Sequence, residues 1–273
     1  MGASQEQSRK VAIALEDVSV LYRQNGSSIL AVEHVTFSVY ESERLCILGP
    51  SGCGKSTILH LLGGFIKPTS GVVQVRGRAN PEPGADRGVV FQRYSLLPWR
   101  TVYENVALGP RMRGASVAEQ DRIVKRFLGL VGLAEFADSF PGQLSAGMQQ
   151  RAAVARAYAN DPDMLLLDEP FASLDAQNAV LMRELLLSIW SEHPKTVLLV
   201  THDVDEALLL ADRVVILSDR PGRVIKERAV DLPRPRTRDL YSDPRYGKLR
   251  AELLGLVLRP TSGMMKADVA PPM

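Results

Sequence analysis

The chain has 273 residues, of which 45% are apolar and 23% are charged, and its formal net charge is +2. These values are typical of a globular protein with one large domain or two lobes, and the near-neutral charge disfavours binding to nucleic acid. No apolar stretch approaches the length of a membrane span, and the polar segment Met1 to Lys10 lacks both the apolar core of a signal peptide and a myristoylation pattern. We therefore expect a cytoplasmic protein that reaches a membrane only through a partner.

The first part of the chain has the alternating pattern of β structure. Apolar and polar residues alternate along residues 11–48, with a turn at Asn25–Gly26, which predicts antiparallel strands that lead into a short buried strand at Arg44–Leu48. The following segments predict, in order, a helix, a loop and another buried strand, at Ser56–Leu62, Pro81–Gly84 and Val89–Phe91.

From residue 102 onward, helices and short apolar strands alternate. Val102 to Asp138 has a helical pattern, with a glycine-rich break near Gly109–Gly114 and an amphipathic run at Ser116–Val131. Three helix–strand pairs follow. The predicted helices are Gln149–Asn160, Asn178–Ser191 and Asp205–Ala211, and the strands that follow them are, in the same order, Met164–Leu167, Thr196–Thr201 and Val214–Leu217. Uniformly apolar strands are covered on both faces, so this order predicts an α/β core with a parallel sheet.

A phosphate-binding loop joins the predicted strand Arg44–Leu48 to the helix after it. The loop matches the pattern G-x-x-x-x-G-K-[ST] in the strand–loop–helix context that this pattern requires, which disfavours a chance glycine turn. Its glycines let backbone N–H groups face an anion, its lysine places a positive charge beside the β and γ phosphates, and the hydroxyl that follows can ligate Mg²⁺. The nine residues are Gly49, Pro50, Ser51, Gly52, Cys53, Gly54, Lys55, Ser56 and Thr57.

Both cysteines of the chain lie near this loop. Cys46 and Cys53 have no metal-binding or redox spacing, and we interpret both as structural residues. Because Cys53 is inside the loop, we also consider the hypothesis that its alkylation blocks ATP binding and that ATP protects it.

A pair of carboxylates follows the apolar strand Met164–Leu167. Asp168 and Glu169 are expected at the carboxyl edge of the sheet, where open α/β folds bind their ligands. Asp168 can hold Mg²⁺ through water, and Glu169 can polarise an attacking water. The alternative is a simple helix cap after a strand, and the two carboxylates alone do not decide between these interpretations.

A second phosphate-binding signal comes from the segment Gln143 to Arg151. Ser145 is a good N-cap for the helix that follows it, and the backbone of Gly147 then lies at the positive end of that helix. Such an end can bind phosphate, although an ordinary capped helix is the more common meaning of such a run by itself.

Three further residues are candidates because of their positions beside predicted strands. His202 directly follows the strand Thr196–Thr201 and could reach a γ-phosphate, although a lone histidine is usually structural. Gln92 follows Val89–Phe91 and alone would be a surface glutamine. Tyr22 is either an aromatic residue of the sheet or a stacking platform for adenine.

In this order, these motifs resemble an ATP-binding cassette (ABC) ATPase over roughly residues 11–232. The resemblance implies a P-loop NTPase core of ABC type, with an N-terminal antiparallel β subdomain and a helical subdomain, about residues 93–160, that carries the signature motif. It implies that ATP and Mg²⁺ are bound and that two cassettes pair head to tail, so that Ser145 and Gly147 close on the ATP of the partner. The implied roles are adenine stacking by Tyr22, Mg²⁺ binding by Ser56, Gln92 and Asp168, catalysis by Glu169 as the base, γ-phosphate sensing by His202, and communication across the dimer by Asp175.

The signature departs from the usual family pattern Leu-Ser-Gly-Gly-Gln. Ala146 and Met148 replace the first glycine and the glutamine, while Ser145 and Gly147 are retained. Because alanine disfavours a positive φ, we expect activity to survive but not every contact of the signature to form.

A narrower resemblance points to transport. The segments 91–106, which contains Leu97–Pro98–Trp99, and 211–223 look like those of importers of the nitrate, sulfonate and taurine group. This resemblance implies a peripheral subunit on the cytoplasmic face of the plasma membrane, which forms a homodimer or pairs with a similar ATPase. It further implies two transmembrane permease subunits as partners and, indirectly, an extracytoplasmic solute-binding protein. The alternatives are a soluble ABC ATPase of translation or DNA maintenance, disfavoured by the single cassette and near-neutral charge, and the ATPase of an exporter.

The chain is predicted to have four parts. We predict a disordered N-terminus at 1–10, the ATPase domain at 11–232, a C-terminal extension at 233–259 and a disordered tail at 260–273. The role of the extension is left open by the sequence.

Overall fold

The structure is a computed structural model that describes residues 10–24, 27–92 and 95–258. The predicted turn at Asn25–Gly26, the tail at 260–273 and all but Lys10 of the predicted N-terminal segment lie outside the described residues. Within the described ranges the strands are β1 Val11–Gln24, β2 Ser27–Tyr40, β3 Arg44–Leu48, β4 Ser70–Val75, β5 Arg78–Ala79, β6 Arg87–Val90, β7 Met164–Asp168, β8 Thr196–Thr201, β9 Arg213–Leu217 and β10 Val224–Ala229. The helices are α1 Lys55–Gly63, α2 Val102–Met112, α3 Val117–Leu130, α4 Ala146–Ala159, α5 Ala176–Glu192, α6 Val204–Leu210 and α7 Pro244–Val257, with short 3₁₀ turns at Ala134–Phe136, Pro141–Gln143 and Arg238–Ser242.

The strands form two sheets. The first is antiparallel with the order β2-β1-β4-β5, and the second has the order β10-β9-β3-β8-β7-β6. In the second sheet, β9, β3, β8, β7 and β6 are parallel, and β10 pairs antiparallel to β9 at the edge. The α/β fold and the N-terminal antiparallel sheet are therefore confirmed, while β4, β5 and β10 were not predicted because their patterns are short and mostly exposed.

The parallel strands are apolar throughout because each face of the sheet contacts a different core. In β3, Leu45 and Ile47 pack with α1 and the antiparallel sheet, whereas Cys46 and Leu48 pack with the helices on the other side. Successive side chains of a strand point to opposite faces, so both positions must be apolar when both faces are covered. This arrangement leaves only the strand ends free to carry polar side chains.

Helices α2, α3 and α4 pack on one another beside the parallel sheet. The helix α2 continues through Gly109 and Pro110 and ends at Met112, so the break lies at the end of the predicted range. Gly114 accounts for this position because its φ of 79° is left-handed, a conformation that ends a helix.

Among the residues that the structure describes, no helix is both long enough and apolar enough to cross a bilayer.

Candidate functional site

The phosphate-binding loop connects the carboxyl end of β3 to the first turn of α1. Gly52 and Gly54 have left-handed φ values of 79° and 106°. A Cβ atom on Gly54 would lie 2.4 Å from Val32 Cγ1 and 2.8 Å from the carbonyl oxygen of Ala31, so both the backbone conformation and the packing require glycine here. The chain can therefore turn tightly and direct the N-terminus of α1 toward an anion.

Lys55, the first residue of α1, is held by the loop itself. Its side chain is only 4% exposed, and its Nζ donates hydrogen bonds of 2.9 Å to the carbonyl oxygens of Gly49 and Pro50. The same Nζ lies 3.4 Å from Oε1 of Glu169. The loop therefore holds a positive charge at a fixed point beside a carboxylate.

A cavity of about 500 Å³ opens at this loop. Gly52, Gly54, Lys55, Ser56 and Thr57 line it on one side, and Glu169 and Tyr22 line it on others. The hydroxyl of Tyr22 lies 3.4 Å from Oγ1 of Thr57, and 40% of the Tyr22 surface is exposed, so this aromatic residue is accessible beside the loop.

The carboxylate pair lies at the end of β7, as predicted for the carboxyl edge of the parallel sheet. Ser56 Oγ donates a 3.0 Å hydrogen bond to Oδ1 of Asp168, and burial raises the pKa of Asp168 from its usual value. Ser56 Oγ and Asp168 Oδ1, two oxygen atoms of the kind that bind hard cations such as Mg²⁺, thus lie together at the phosphate-binding loop.

Glu169 has an unusual backbone that directs its side chain across the cavity. Its φ of 41° is left-handed, and its N–H donates to the carbonyl oxygen of Val200 on β8. Its Oε2 lies 3.2 Å from Nδ1 of His202, while its Oε1 faces Lys55. His202 follows β8 directly, so adjacent parallel strands bring together residues that are 33 positions apart in sequence.

Gln92 lies outside this group. It is exposed after β6 and lines a second cavity of about 470 Å³ together with Pro98, Gln149 and Ser173. The structure therefore places Lys55, Ser56 and Glu169 in the wall of the phosphate-loop cavity, with Asp168 bonded to Ser56 and His202 in contact with Glu169. Gln92 lines a different cavity.

The loop beside this second cavity carries an exposed tryptophan. Trp99 is 70% exposed, whereas Asn105 is completely buried beneath the loop. Asn105 Nδ2 donates to the carbonyl oxygens of Leu97, Arg100 and Thr101 at 3.1, 3.1 and 2.9 Å, and its Oδ1 accepts from the N–H of Leu97 at 2.8 Å. One buried amide thus fixes the loop that presents Trp99.

The predicted signature residues lie at the start of α4, outside the residues that line the phosphate-loop cavity. Ser145 Oγ accepts a 3.3 Å hydrogen bond from the N–H of Met148, so it is the N-cap as predicted. Ala146 is the first residue of the helix and is absent from the left-handed residues among the described ones, so its methyl group causes no backbone strain. The sequence-based concern about its φ was wrong, because the first turn of a helix has an ordinary negative φ.

The environment of Gly147 connects the signature to α5. A Cβ atom on Gly147 would lie 3.0 Å from Oδ1 of Asn178, whose N–H and side-chain amide both donate to Asp175, the N-cap of α5. These backbone and side-chain hydrogen bonds from Asn178 lower the pKa of Asp175.

Two residues of the site were not among the candidates. Arg220 lines the phosphate-loop cavity, and Gly222 packs so closely on the loop that an added Cβ would lie 2.1 Å from the carbonyl oxygen of Cys53. Gly222 also bridges to the second strand through hydrogen bonds with the backbone of Ala31 and Glu33. Both residues follow β9, and the rule that ligands bind at the carboxyl ends of parallel strands would have identified this segment.

Comparison with known proteins assigns the family. The sequence model of the ABC transporter family matches residues 32–172, just over half of the chain. The chain belongs to this family. It is an ABC ATPase, an enzyme that binds and hydrolyses ATP.

Similar curated proteins include several ATP-binding subunits of transporters. The chain is 49% identical to an uncharacterised ABC transporter ATP-binding protein of Methanocaldococcus jannaschii, covering 88% of this chain and 90% of that protein. It is 48% identical to a nitrate import ATP-binding protein of Synechococcus elongatus (84% and 85%) and 44% identical to a taurine import ATP-binding protein of Pseudomonas aeruginosa (89% and 94%).

A solved structure with the same fold is a dimer. This ATP-binding cassette, bound to ADP and phosphate in a post-hydrolysis state, has a TM-score of 0.73 and 35% identity, and the match covers 80% of this chain and 98% of that one. The ABC fold of this chain is thereby confirmed.

Proposed function

We propose that this ABC ATPase powers the import of a small oxyanion or related solute, of the nitrate, sulfonate or taurine class, through partner membrane subunits. The observation that carries the catalytic part is the position of the Glu169 carboxylate, which lies between Lys55 and His202 at the phosphate-binding loop. The phosphates of ATP would lie against Gly49–Thr57, and the exposed ring of Tyr22 would stack on adenine.

The donor atoms below the loop fit Mg²⁺. In the part of the chain that the structure describes, no cluster of three or more histidine, cysteine or acidic residues could hold a metal by itself. This suits Mg²⁺, which usually takes one or two protein oxygens and completes its shell with phosphates and water. The oxygens of Ser56 and Asp168 would hold the ion, which neutralises phosphate charge when bound. Gln92, the third residue predicted to bind it, lines a different cavity.

The residues around Glu169 suit it to act as the catalytic base. Lys55 and His202 contact different oxygens of its carboxylate and so hold it in one orientation. A base fixed in this way can orient a water for in-line attack, and most of the rate gain would come from positioning and charge neutralisation. His202, which is half exposed and contacts Glu169, would sense the γ-phosphate.

Two copies of the chain, or the chain and a similar ATPase, would form the working unit. Ser145 and the backbone of Gly147 lie at a helix N-terminus outside the phosphate-loop cavity of their own chain. A head-to-tail partner would bring this end onto the ATP of the other copy, as the dimeric assembly of the structural neighbour suggests.

Transport is supported by the relatives and by the loop around Trp99. The similar proteins include import ATP-binding proteins for nitrate and taurine and a transport ATP-binding protein for bicarbonate, solutes that are or carry small oxyanions. An exposed tryptophan on a loop fixed by a buried amide is suited to anchor a partner. We propose that Trp99 contacts one of two membrane permease subunits from the cytoplasmic side, and that an extracytoplasmic binding protein selects the cargo.

The base is tested with Glu169→Gln, which retains the shape of the side chain and removes its basicity. We expect ATP to bind with unchanged affinity, hydrolysis to fall at least about a hundredfold, which is the usual contribution of a general base, and an ATP-bound dimer to accumulate. Glu192→Gln, an exposed change at the end of α5, is the control. Normal turnover of Glu169→Gln would exclude this residue as the base.

The partner is tested by affinity purification from gently solubilised membranes of the native host, followed by mass spectrometry. A multi-span membrane protein should copurify with the wild type and be lost with Trp99→Ala, whereas Ile225→Ala, an exposed apolar residue on β10, should retain it. Recovery of ribosomal or DNA-maintenance proteins instead would overturn the importer function and leave the ATPase chemistry standing.

A further inference from the structure

A third cavity, larger than the two already described, lies away from the phosphate-binding loop. This C-terminal cavity has a volume of about 950 Å³ and is bounded by α5 and by residues 234–241, in the segment that follows β10. Arg44 also lines it, and Arg44 begins β3, the strand that ends at the phosphate-binding loop. A strand of this length separates the two cavities by roughly 15 Å, so they lie at opposite edges of the parallel sheet.

The walls of the C-terminal cavity are largely apolar. Leu187 of α5, Leu209 of α6 and Pro235 contribute aliphatic surface, and Tyr241, which is 49% exposed, lies at its margin. Its volume falls in the range of ordinary ligand pockets, which combine apolar walls with a few fixed polar groups.

The polar groups in this cavity are mostly cationic. Four arginines and two acidic residues line it, namely Arg44, Arg183, Arg234, Arg236, Glu184 and Asp239. Arg234 Nη2 forms an ion pair of 2.5 Å with Oδ1 of Asp212, a residue that does not line the cavity. Burial lowers the pKa of Arg44 and lowers that of Arg236 to about 10, with the nearby charge of Arg234 as the next cause, so both guanidinium groups stay protonated at neutral pH in partly desolvated positions.

Arg236 has an unused donor in this environment. The residue is only 4% exposed, and its terminal nitrogens donate to the carbonyl oxygens of Leu208, Ala211 and Val230. Its Nε is buried and has no hydrogen-bond acceptor among the described residues. A buried donor without an acceptor is costly, so an acceptor from a ligand would be favoured at this point.

Arg183 supplies a second available cation. Its Nε donates to the carbonyl oxygen of Ala179 in its own helix, and no ion pair joins it to an acidic side chain in the described ranges. Because it lines the cavity from the middle of α5, its remaining donors are suited to an anion inside the cavity.

We propose that the C-terminal cavity binds a small organic carboxylate with an apolar body. The carboxylate would be bound by the guanidinium groups of Arg183 and Arg236, and the body would lie against Leu187 and Leu209. A planar carboxylate matches the fork of guanidinium donors, and the apolar walls account for the requirement of a body of several carbon atoms. This site is independent of the transport function and of the ATP site.

The test uses decanoate as the probe, below its micelle concentration, with the full chain and isothermal titration calorimetry. We expect one saturable molecule per chain, with 1-decanol and hexanoate each at least about tenfold weaker, because the first lacks the charge and the second lacks apolar carbons. Saturation of the chain with ADP should leave the affinity for decanoate unchanged, since the two cavities are separate. Absence of saturable binding, equal affinity for 1-decanol, or displacement by ADP would each overturn the proposal.

Variants locate the site. Arg183→Gln should weaken decanoate binding about tenfold, the effect expected of one charge-assisted hydrogen bond, and Leu187→Gln should weaken it by a similar factor through lost apolar contact. Arg111→Gln removes an equal charge from an exposed position on α2 and should change nothing. If both cavity variants bind as the wild type does, decanoate lies elsewhere and the assignment of this cavity is wrong.

Discussion

Replacing Glu206 by glutamine should change how the stability of the protein depends on pH. Glu206 lies on α6 and is only 8% exposed, and Thr201 Oγ1 donates a 2.5 Å hydrogen bond to its Oε2. Burial raises the pKa of Glu206 to about 7, and the charge of Asp203 adds to this effect. The hydrogen bond from Thr201 and the charges of Arg183 and His202 act in the opposite direction. Glutamine keeps an oxygen that can accept the hydrogen bond from Thr201 and cannot ionise.

The size of the effect follows from the difference in pKa between the folded and unfolded chains. The side chain titrates near 4.5 when unfolded and near 7 when folded, so between these values the folded chain holds a proton that the unfolded chain releases. Each unit of pKa difference corresponds to about 1.4 kcal/mol. The free energy of unfolding should therefore fall by about 3 kcal/mol through this group as the pH rises from 4.5 to 7, and change no further above 7.

Urea unfolding of the wild type and Glu206→Gln at pH 5, 6, 7 and 8 measures this difference, with the fluorescence of the buried Trp190 as the probe. The variant should gain stability relative to the wild type as the pH rises, by about 3 kcal/mol in total. Glu135→Gln, an exposed change in a 3₁₀ turn, serves as the control and should follow the wild type at every pH. A constant difference between Glu206→Gln and the wild type from pH 5 to 8, or a difference that grows in the opposite direction, would refute the reasoning.

Three further predictions concern packing around the sites. Gly222→Ala should lower nucleotide affinity at least about tenfold and reduce stability by about 1–3 kcal/mol, because its Cβ would meet the carbonyl oxygen of Cys53. Nucleotide titration measures the first effect and calorimetry the second. The control Gly129→Ala has open space for its Cβ, so it should leave the affinity unchanged and leave the stability unchanged or higher. Asn105→Ala should cost about 1–3 kcal/mol for buried groups left without partners and abolish copurification of the membrane partner while ATP binding is retained. Cys46 and Cys53 are buried, and burial raises the pKa of both thiols. Iodoacetamide should therefore label them much more slowly in the native chain than in urea, whether or not ATP is present. Rapid labelling of Cys53 in the native chain that ATP prevents would instead support the hypothesis that alkylation of Cys53 blocks ATP binding.

Much of the candidate site could be predicted because its residues follow recognisable local patterns. The phosphate-binding loop needs glycines at fixed places in a strand–loop–helix unit, and Asp168 and Glu169 directly follow a short apolar run that is typical of a buried strand. In both cases the chemistry and the local structure depend on a few adjacent residues, so no knowledge of distant contacts was required. The same holds for Ser145, whose capping role is a contact within one turn.

Other features depend on contacts between segments that are distant in sequence. Gly222 lies against Cys53 and Arg220 enters the phosphate-loop cavity only because β9 pairs with β3, and a sequence pattern does not state which strands are neighbours. The same is true of the C-terminal cavity, where Arg44, Arg183 and Arg236 converge from three separate segments.

The sequence by itself determined the α/β class, the phosphate-binding loop and the carboxylates at the end of β7, since these follow from short-range periodicity and from the backbone requirements of glycine. Only the tertiary structure decided that Glu169 lies between Lys55 and His202, that Gln92 faces a different cavity, and that α5 and residues 234–241 enclose a cationic, apolar cavity. The physical reason is that burial, charge and hydrogen bonding act through space, and the order of strands in the sheet sets which side chains are close enough to interact.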